Sequence, residues 1–205
     1  MDEILILIPT SRNKLAARIL NAISAHNLQG QEESLVLRML SATKAHVGDA
    51  IDSKDIDPLM ASLANSLDSV SSSYSILATR LELSSIYREA ETSFSSAMET
   101  AKLYGRISGR FMDLVNRNRK TLNSMIEFDR DNYFTYSALR SLREKYLIQK
   151  GCVLVERPQY LWLRVALQMH LSDMEGVKIA YDLMSCLKYI QTPQYSPRVA
   201  QPPQG

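Results

Sequence analysis

The stretch VERPQYLWLRVALQMH, Val155 to His170, decides the fold. Pro158 follows the charged pair Glu156-Arg157, and proline suits the first turn of a helix, where its missing amide proton is no loss. From Tyr160 onward apolar residues fall on nearly every face, as expected of a helix buried all round. The segment therefore reads as a central helix around which the rest packs.

Working outward, the same period recurs. After it comes LSDMEGVKIAYDLMSCLKYI, Leu171 to Ile190. Ser172 and Glu175 have the spacing of a capping box, and Val177, Ala180, Tyr181 and Met184 form a stripe. QTPQYSPRVAQPPQG, Gln191 to Gly205, holds four prolines without a pattern and is expected to be extended or disordered. Before the central helix, CVLV at Cys152 to Val155 is too short to assign by period and fits a strand or an extended connection.

Further upstream, a helix is expected from Tyr136 to Tyr146 with a stop at Gly151, and a less regular helical region at Phe111 to Met125. A long helical stretch is expected from about Ile76 to Tyr104, closed by Gly105. SVSSSYS, Ser69 to Ser75, reads as a polar break. Ser53 opens a strongly amphipathic helix whose inward set is Ile56, Leu59, Met60, Leu63 and Leu67, with Pro58 in its first turns. Two earlier helices are expected. One follows Pro9, with Leu15, Ile19, Ala22 and Ile23 on one face; the other runs from Glu32 to His46, with Leu35, Met39 and Ala42 inward. The fold class is all-α, mainly helical, with at most a short β element.

Composition excludes several classes. Nearly half of the 205 residues are apolar, which is not a disordered composition. The formal net charge is +2, and the basic patch NRNRK, Asn116 to Lys120, reads as a solvated helix face or turn, so no nucleic acid is expected as a partner. Cys152 and Cys186 stand far apart with no CxxC pair, and no signal peptide precedes them, which points to a reduced cytoplasmic setting. The apolar run Ile4 to Ile8 is too short to span a bilayer, and no membrane is expected.

Catalytic templates are missing. His26, His46 and His170 have no zinc-type spacing, and there is no GxxxxGK[ST], GxGxxG or GxSxG. His170, at a helix end, is expected to cap its own carbonyls. EFDRD, Glu127 to Asp131, gathers three carboxylates around an arginine. A cation or acid/base site is one reading; a local network of salt bridges and turn bonds is the favoured one.

ERPQYLWLRVALQMH closely resembles the ERPQ…MRV…IH segment of the large, catalytic subunit of class I ribonucleotide reductases. The similarity continues in order through Thr121 to Gly151 (helix, DRD turn, helix) and Tyr74 to Glu89. It reaches Ile51 to Leu67, which resembles the helix completing that family's ATP cone. The resemblance implies three parts: an ATP-cone-like helical module at 1–90, the N-terminal helical lobe of the large subunit at 91–192, and a proline-rich tail at 193–205. In the family this lobe packs on a ten-stranded α/β barrel that reduces ribonucleoside diphosphates by thiyl-radical chemistry, with a radical delivered by a small subunit. It implies that Leu161, Trp162, Val165 and Met169 are buried against the barrel, and that Arg157 and Arg164 make structural ion pairs.

By the same resemblance, Ser53, Asp57 and Arg88 match nucleotide-contacting positions of the cone, with helix capping as the alternative for the first two. Thr192 matches a substrate-phosphate contact, or is a turn residue before proline. The family's KRDG hairpin is replaced here by ILILIPT, so ATP or dATP is expected as an effector bound weakly or not at all. Cys152 and Cys186 match none of the catalytic cysteines, which lie on the barrel beyond this sequence. The expectation is therefore a truncated N-terminal fragment, without catalytic residues or a cofactor or metal of its own, and not catalytic alone. Its expected partner is a full-length large subunit, with the small subunit reached only through it. The alternative is a non-enzymatic module that docks on, and regulates, a full-length large subunit.

Overall fold

The computed structural model describes residues 4–6, 38, 39, 41, 50–52, 55–69 and 71–188. The two expected helices before Gly48 fall almost entirely outside these residues. Of them, 38, 39 and 41 have helical backbone, and Met39 is buried. The described chain is mainly helical, with two small antiparallel ladders, and divides into two compact units. The first comprises 1–85 with 135–139, the second 86–134 with 140–205.

In the first unit, strands β1 (Ile4–Ile6) and β2 (Ala50–Asp52) pair antiparallel, with Leu5 opposite Ile51. Helix α1 (Ile56–Ser66) starts two residues later than its first polar candidate, at Asp55, whose side chain makes no capping bond. Ile56, Met60 and Leu63 are buried as the stripe requires, and Leu59 and Leu67 pack partly buried beside them. Helix α2 (Ser72–Glu89) adds Tyr74, Leu77, Ala78 and Leu81 to the same core. Each buried leucine, isoleucine or methionine among them contributes about 1.5–3 kcal/mol by leaving water. The serine run was expected to break the chain through Ser75, but the helix starts at Ser72, inside it. Tyr74 then has an apolar core to enter, and burial outweighs the weak helix preference of serine.

The expected helical stretch from Ile76 to Tyr104 is divided into two helices. α2 ends at Glu89 and α3 (Phe94–Leu103) begins after a break. Ser93 caps α3 by accepting the Ser96 amide at 3.2 Å. Glu91 in the break accepts hydroxyl bonds from Ser96 and Thr100, while its own amide donates to the Val155 carbonyl at 3.2 Å. α3 closes at Gly105, which has φ 67° and so occupies the left-handed region where glycine carries no Cβ penalty.

α4 (Gly109–Arg117) and α5 (Arg119–Ser124) pack on α3, burying Phe111, Met112, Val115 and Leu122. A 3₁₀ turn (Phe128–Tyr133) precedes α6 (Tyr136–Lys145). CVLV belongs to a hairpin: β3 (Gln149–Lys150) pairs with β4 (Val153–Leu154), and Gly151 at φ 60° makes its turn rather than a helix stop.

α7 (Pro158–His170) has Pro158 in its first turn and is packed against α8 (Met174–Ser185) and the 3₁₀ turn. α8 is capped by Asp173, whose carboxylate accepts the Gly176 amide at 3.1 Å; the expected Ser172–Glu175 box does not form. Asp173 lies one residue closer to the helix, and a carboxylate at that place also favours the helix dipole. His170 ends α7, and its backbone carbonyl accepts the Asp173 amide. Val177, Tyr181 and Met184 are buried on the α7 side, with Ala180 half-buried. Among the described residues no helix is long and apolar enough to cross a membrane.

Candidate functional site

The polar groups of the second unit converge beneath the start of α7. EFDRD folds into the 3₁₀ turn, and its three carboxylates do not share one site. Asp131 is turned inward and fully buried, whereas Asp129 is exposed. Asp131 accepts the Tyr87 hydroxyl on one oxygen and the Gln159 side-chain amide, at 2.7 Å, on the other. Gln159 in turn accepts the Tyr181 hydroxyl at 2.8 Å, and the Tyr181 oxygen accepts the Glu127 amide at 2.9 Å. One hydrogen-bonded chain thus links the end of α2, the 3₁₀ turn, α7 and α8. It satisfies groups that would each cost about 1–3 kcal/mol if buried alone.

Arg130 points the other way and pairs with Asp182 at 2.7 Å, which also holds Lys178 at 2.7 Å. Of the favoured reading of EFDRD, a local network of salt bridges and turn bonds, the turn bonds form, with the Arg130 amide donating to the Glu127 carbonyl at 3.2 Å, but the ion pair is made to distant Asp182 and not within the stretch. No group of three or more His, Cys, Asp or Glu side chains among the described residues is placed to hold a metal ion.

Electrostatics follow burial. Removal from water pushes the Asp131 carboxyl up to about 6, against the opposing pull of hydrogen bonds from Tyr87 and Gln159 and of the nearby Arg157 guanidinium. Burial and the Asp131 charge push the Tyr87 phenol above its ordinary range. Burial raises Tyr160 and Tyr181 to about 12. Burial also pushes Asp182 up, but hydrogen bonds and charge from Lys178 and Arg130 outweigh it and hold Asp182 below the usual carboxylate range.

The two arginines of the central stretch behave differently. Arg164 forms the expected ion pair, buried against Glu156 at 2.6 Å, and Glu156 also accepts the Ile148 amide at 3.0 Å. Arg157 forms none. Its guanidinium lies over the rings of Tyr87, Phe128 and Tyr160, at 4.7, 5.5 and 5.8 Å, and donates to the Tyr87 carbonyl. A weakly hydrated planar cation is well suited to such an aromatic setting. The hydroxyl of Tyr160 and the indole nitrogen of Trp162 are buried without a hydrogen-bond partner among the described residues.

Of the residues singled out by resemblance, Ser53 and Thr192 lie outside the described residues. Asp57 is buried in the first turn of α1, where its charge complements the helix dipole. Arg88 is exposed in the last turn of α2. Asp57 belongs to the first unit and Arg88 to the second. In α7, Leu161 and Val165 are already buried within the described chain, Trp162 is partly covered, and Met169 is 37% exposed. Cys152 is exposed in the hairpin turn and Cys186 half-buried after α8; both are free thiols.

Tyr87, Gln159 and Tyr181 carry the network and were not identified from the sequence. The one signal available was the unexplained Gln159 beside the ERP triplet, since a glutamine entering an apolar helix must find partners.

Comparisons with known proteins bear on this region. A model of the family described as "Ribonucleotide reductase, all-alpha domain" matches residues 132–191. The chain is 34% identical over 152 residues to ribonucleoside-diphosphate reductase large chain 2 of Saccharomyces cerevisiae, covering 70% of this chain and 17% of the yeast protein. It is 32% identical over 146 residues to the large subunit of Monkeypox virus, covering 67% of this chain and 19% of the viral one. The Caenorhabditis elegans large subunit is 31% identical over 140 residues, or 64% of this chain and 18% of that subunit. The chain thus spans less than a fifth of the length of these relatives. These matches place the chain in the ribonucleotide reductase large-subunit family, as a counterpart of its N-terminal, all-alpha region.

Proposed function

We propose that the chain serves deoxyribonucleotide synthesis as the N-terminal helical region of a ribonucleoside-diphosphate reductase large subunit, as a scaffold rather than the seat of the chemistry. The observation that carries this reading is the identity of about a third with large subunits over most of the chain. The geometry agrees with a scaffold. Most polar groups around α7 are engaged with one another, in the Glu156–Arg164 pair and the Asp131–Gln159–Tyr181 chain, as suits a structural region. The resemblance assigns the reacting cysteines to the barrel, and neither Cys152 nor Cys186 matches them. In this reading the small subunit is reached through the rest of a large subunit. Residues 1–90 are a degenerate ATP cone, with Ser53, Asp57 and Arg88 its remaining nucleotide contacts. The setting is the cytoplasm.

A chimera tests the role. Residues 56–188 are exchanged for the matching region of the yeast large chain, and ribonucleoside-diphosphate reduction is measured with the yeast small subunit. The reading expects an active chimera, and no reduction from this chain with the small subunit alone. A folded chimera without activity, or reduction by the chain alone, overturns it.

A second reading, a regulatory module docking on a full-length large subunit, is favoured by one observation. Ile179, Leu183 and Leu187 recur every four residues along the outer side of α8 and its end, and the first is 56% exposed. Such a stripe matches a surface awaiting cover. Co-sedimentation of this chain with an intact large subunit decides it: a complex weakened by Leu183→Glu supports docking, and separate sedimentation at micromolar concentrations rejects it.

A further inference from the structure

Cations are distributed unevenly along the second unit. The segment from Lys102 to Lys120 holds Lys102, Arg106, Arg110, Arg117, Arg119 and Lys120 against a single acid, Asp113, although the whole chain carries 24 basic and 22 acidic residues. All seven are exposed. The segment covers the end of α3, all of α4 and the start of α5, three helices packed on one another. The β3–β4 hairpin adjoins it: Arg106 donates to the Gln149 carbonyl at 3.2 Å, and Lys150 lies 4.6 Å above the Tyr104 ring.

Elsewhere in the unit several cations are paired, although Arg157, Lys145 and Lys188 hold no carboxylate among the described residues. Arg130, Arg140, Arg143, Arg164 and Lys178 each hold a carboxylate. In this segment only Arg119 does, with Glu99 at 2.6 Å. Among the described residues Lys102, Arg106, Arg110, Arg117, Lys120 and Lys150 have no carboxylate within salt-bridge distance. Clustered like charges repel one another and favour an anionic counterpart. Beside them stand two apolar side chains the core does not use, Leu103 at 82% exposure and Val153, opposite Lys150 in the hairpin, at 54%.

That combination selects among anions. Sequence-tolerant binding of a nucleic-acid strand draws on aromatic faces open for stacking. Tyr104, beside Leu103, is half-buried with Lys150 over its ring. An exposed leucine in a segment rich in cations that hold no carboxylate instead fits a chain that alternates carboxylates with an apolar side chain, burying the one and pairing the others.

We propose that the surface formed by Lys102, Leu103, Arg106, Arg110, Arg117 and Lys120 is a docking site for an acidic polypeptide segment that carries an apolar side chain.

The test is a binding titration of the full chain with three probes of equal charge: a glutamate/leucine peptide, a glutamate-only peptide and a single-stranded oligonucleotide. The glutamate/leucine peptide is expected to bind most tightly and to weaken as salt rises. The double variant Arg110→Glu, Arg117→Glu should weaken it by about tenfold or more. Leu103→Ser should erase its advantage over the glutamate-only peptide. These side chains are exposed and unpaired, so circular dichroism and thermal unfolding should match the parent chain. The proposal fails if the glutamate/leucine peptide shows no saturable binding, if the oligonucleotide binds as well or better, or if charge reversal leaves peptide affinity unchanged.

Discussion

The Glu156 carboxylate holds the Arg164 guanidinium at two points, Nε to Oε1 at 2.6 Å and Nη2 to Oε2 at 3.1 Å, with both side chains buried. A pair this deep is costly to break on one side, because the survivor stays charged and unsolvated. Arg164→Met is expected to destabilise the chain by about 3–5 kcal/mol. The double variant Glu156→Gln, Arg164→Met should recover most of that loss, since glutamine can still accept the Ile148 amide. Urea unfolding of the parent and both variants measures it; equal losses in the single and double variants would refute the account.

Asp131 makes stability depend on pH. Its carboxyl is raised from an ordinary 3.8 to about 6, so the folded chain holds the proton more tightly than the unfolded one. Its contribution is complete below about 3.8 and is lost as pH rises through about 6, by on the order of 2–3 kcal/mol. Unfolding at pH 4 and pH 7 should show the parent losing more stability across this interval than Asp131→Asn. The carboxyl carbon of Asp131 should titrate near pH 6 by NMR. A midpoint near 4 would sink the prediction.

Two buried tyrosines should respond in opposite ways to loss of the hydroxyl. Tyr181→Phe strips Gln159 of a donor and the Glu127 amide of an acceptor, and is expected to cost about 1–3 kcal/mol. Among the described residues Tyr160 has no hydrogen-bond partner for its hydroxyl, so Tyr160→Phe should fall within about 0.5 kcal/mol of the parent or be slightly stabilising. Thermal unfolding distinguishes them, and a large loss in Tyr160→Phe would contradict the assignment.

Gly176→Ala should lose stability even though alanine is the better helix former. A Cβ there would lie 2.6 Å from both the Asp173 carboxylate and the His170 ring nitrogen. Clearing it moves the side chain that caps α8, and the expected net loss is about 1–2 kcal/mol. Adding His170→Ala should return part of it. If Gly176→Ala raises the melting temperature, the crowding is not real.

The sequence made visible those features whose signals are local. Pro158 and the continuous apolar run located α7, and Ile56, Met60 and Leu63 located α1, because helical period and burial report the same thing. Arg164 was recognisable as an ion-pair arginine, but its partner eight positions earlier was not. Arg157, beside Glu156, read the same way and instead faces aromatic rings contributed from as far away as Tyr87. The Asp131 chain joins Tyr87 to Tyr181, and no local pattern connects residues so distant. At α8, serine and aspartate were adjacent capping candidates, and only the backbone path through Leu171, at φ 52°, chose between them.

The break between α2 and α3 has consequences for the order in which the chain acquires its shape. Half of what sets it is near at hand, in the Ser93 cap and the Glu91 carboxylate. The other half is the bond from the Glu91 amide to the Val155 carbonyl, and Val155 is itself held by the Ile148 carbonyl. A growing polypeptide synthesised only as far as Tyr104 has the cap but not the strap. The cap is a local contact, whereas the strap is a non-local one that must await the hairpin, and hairpins form more slowly than helices. The final direction of α3 is therefore fixed late, when the hairpin arrives, and until then the stretch from Ser72 to Leu103 is free to approach the single rod that its periodicity describes.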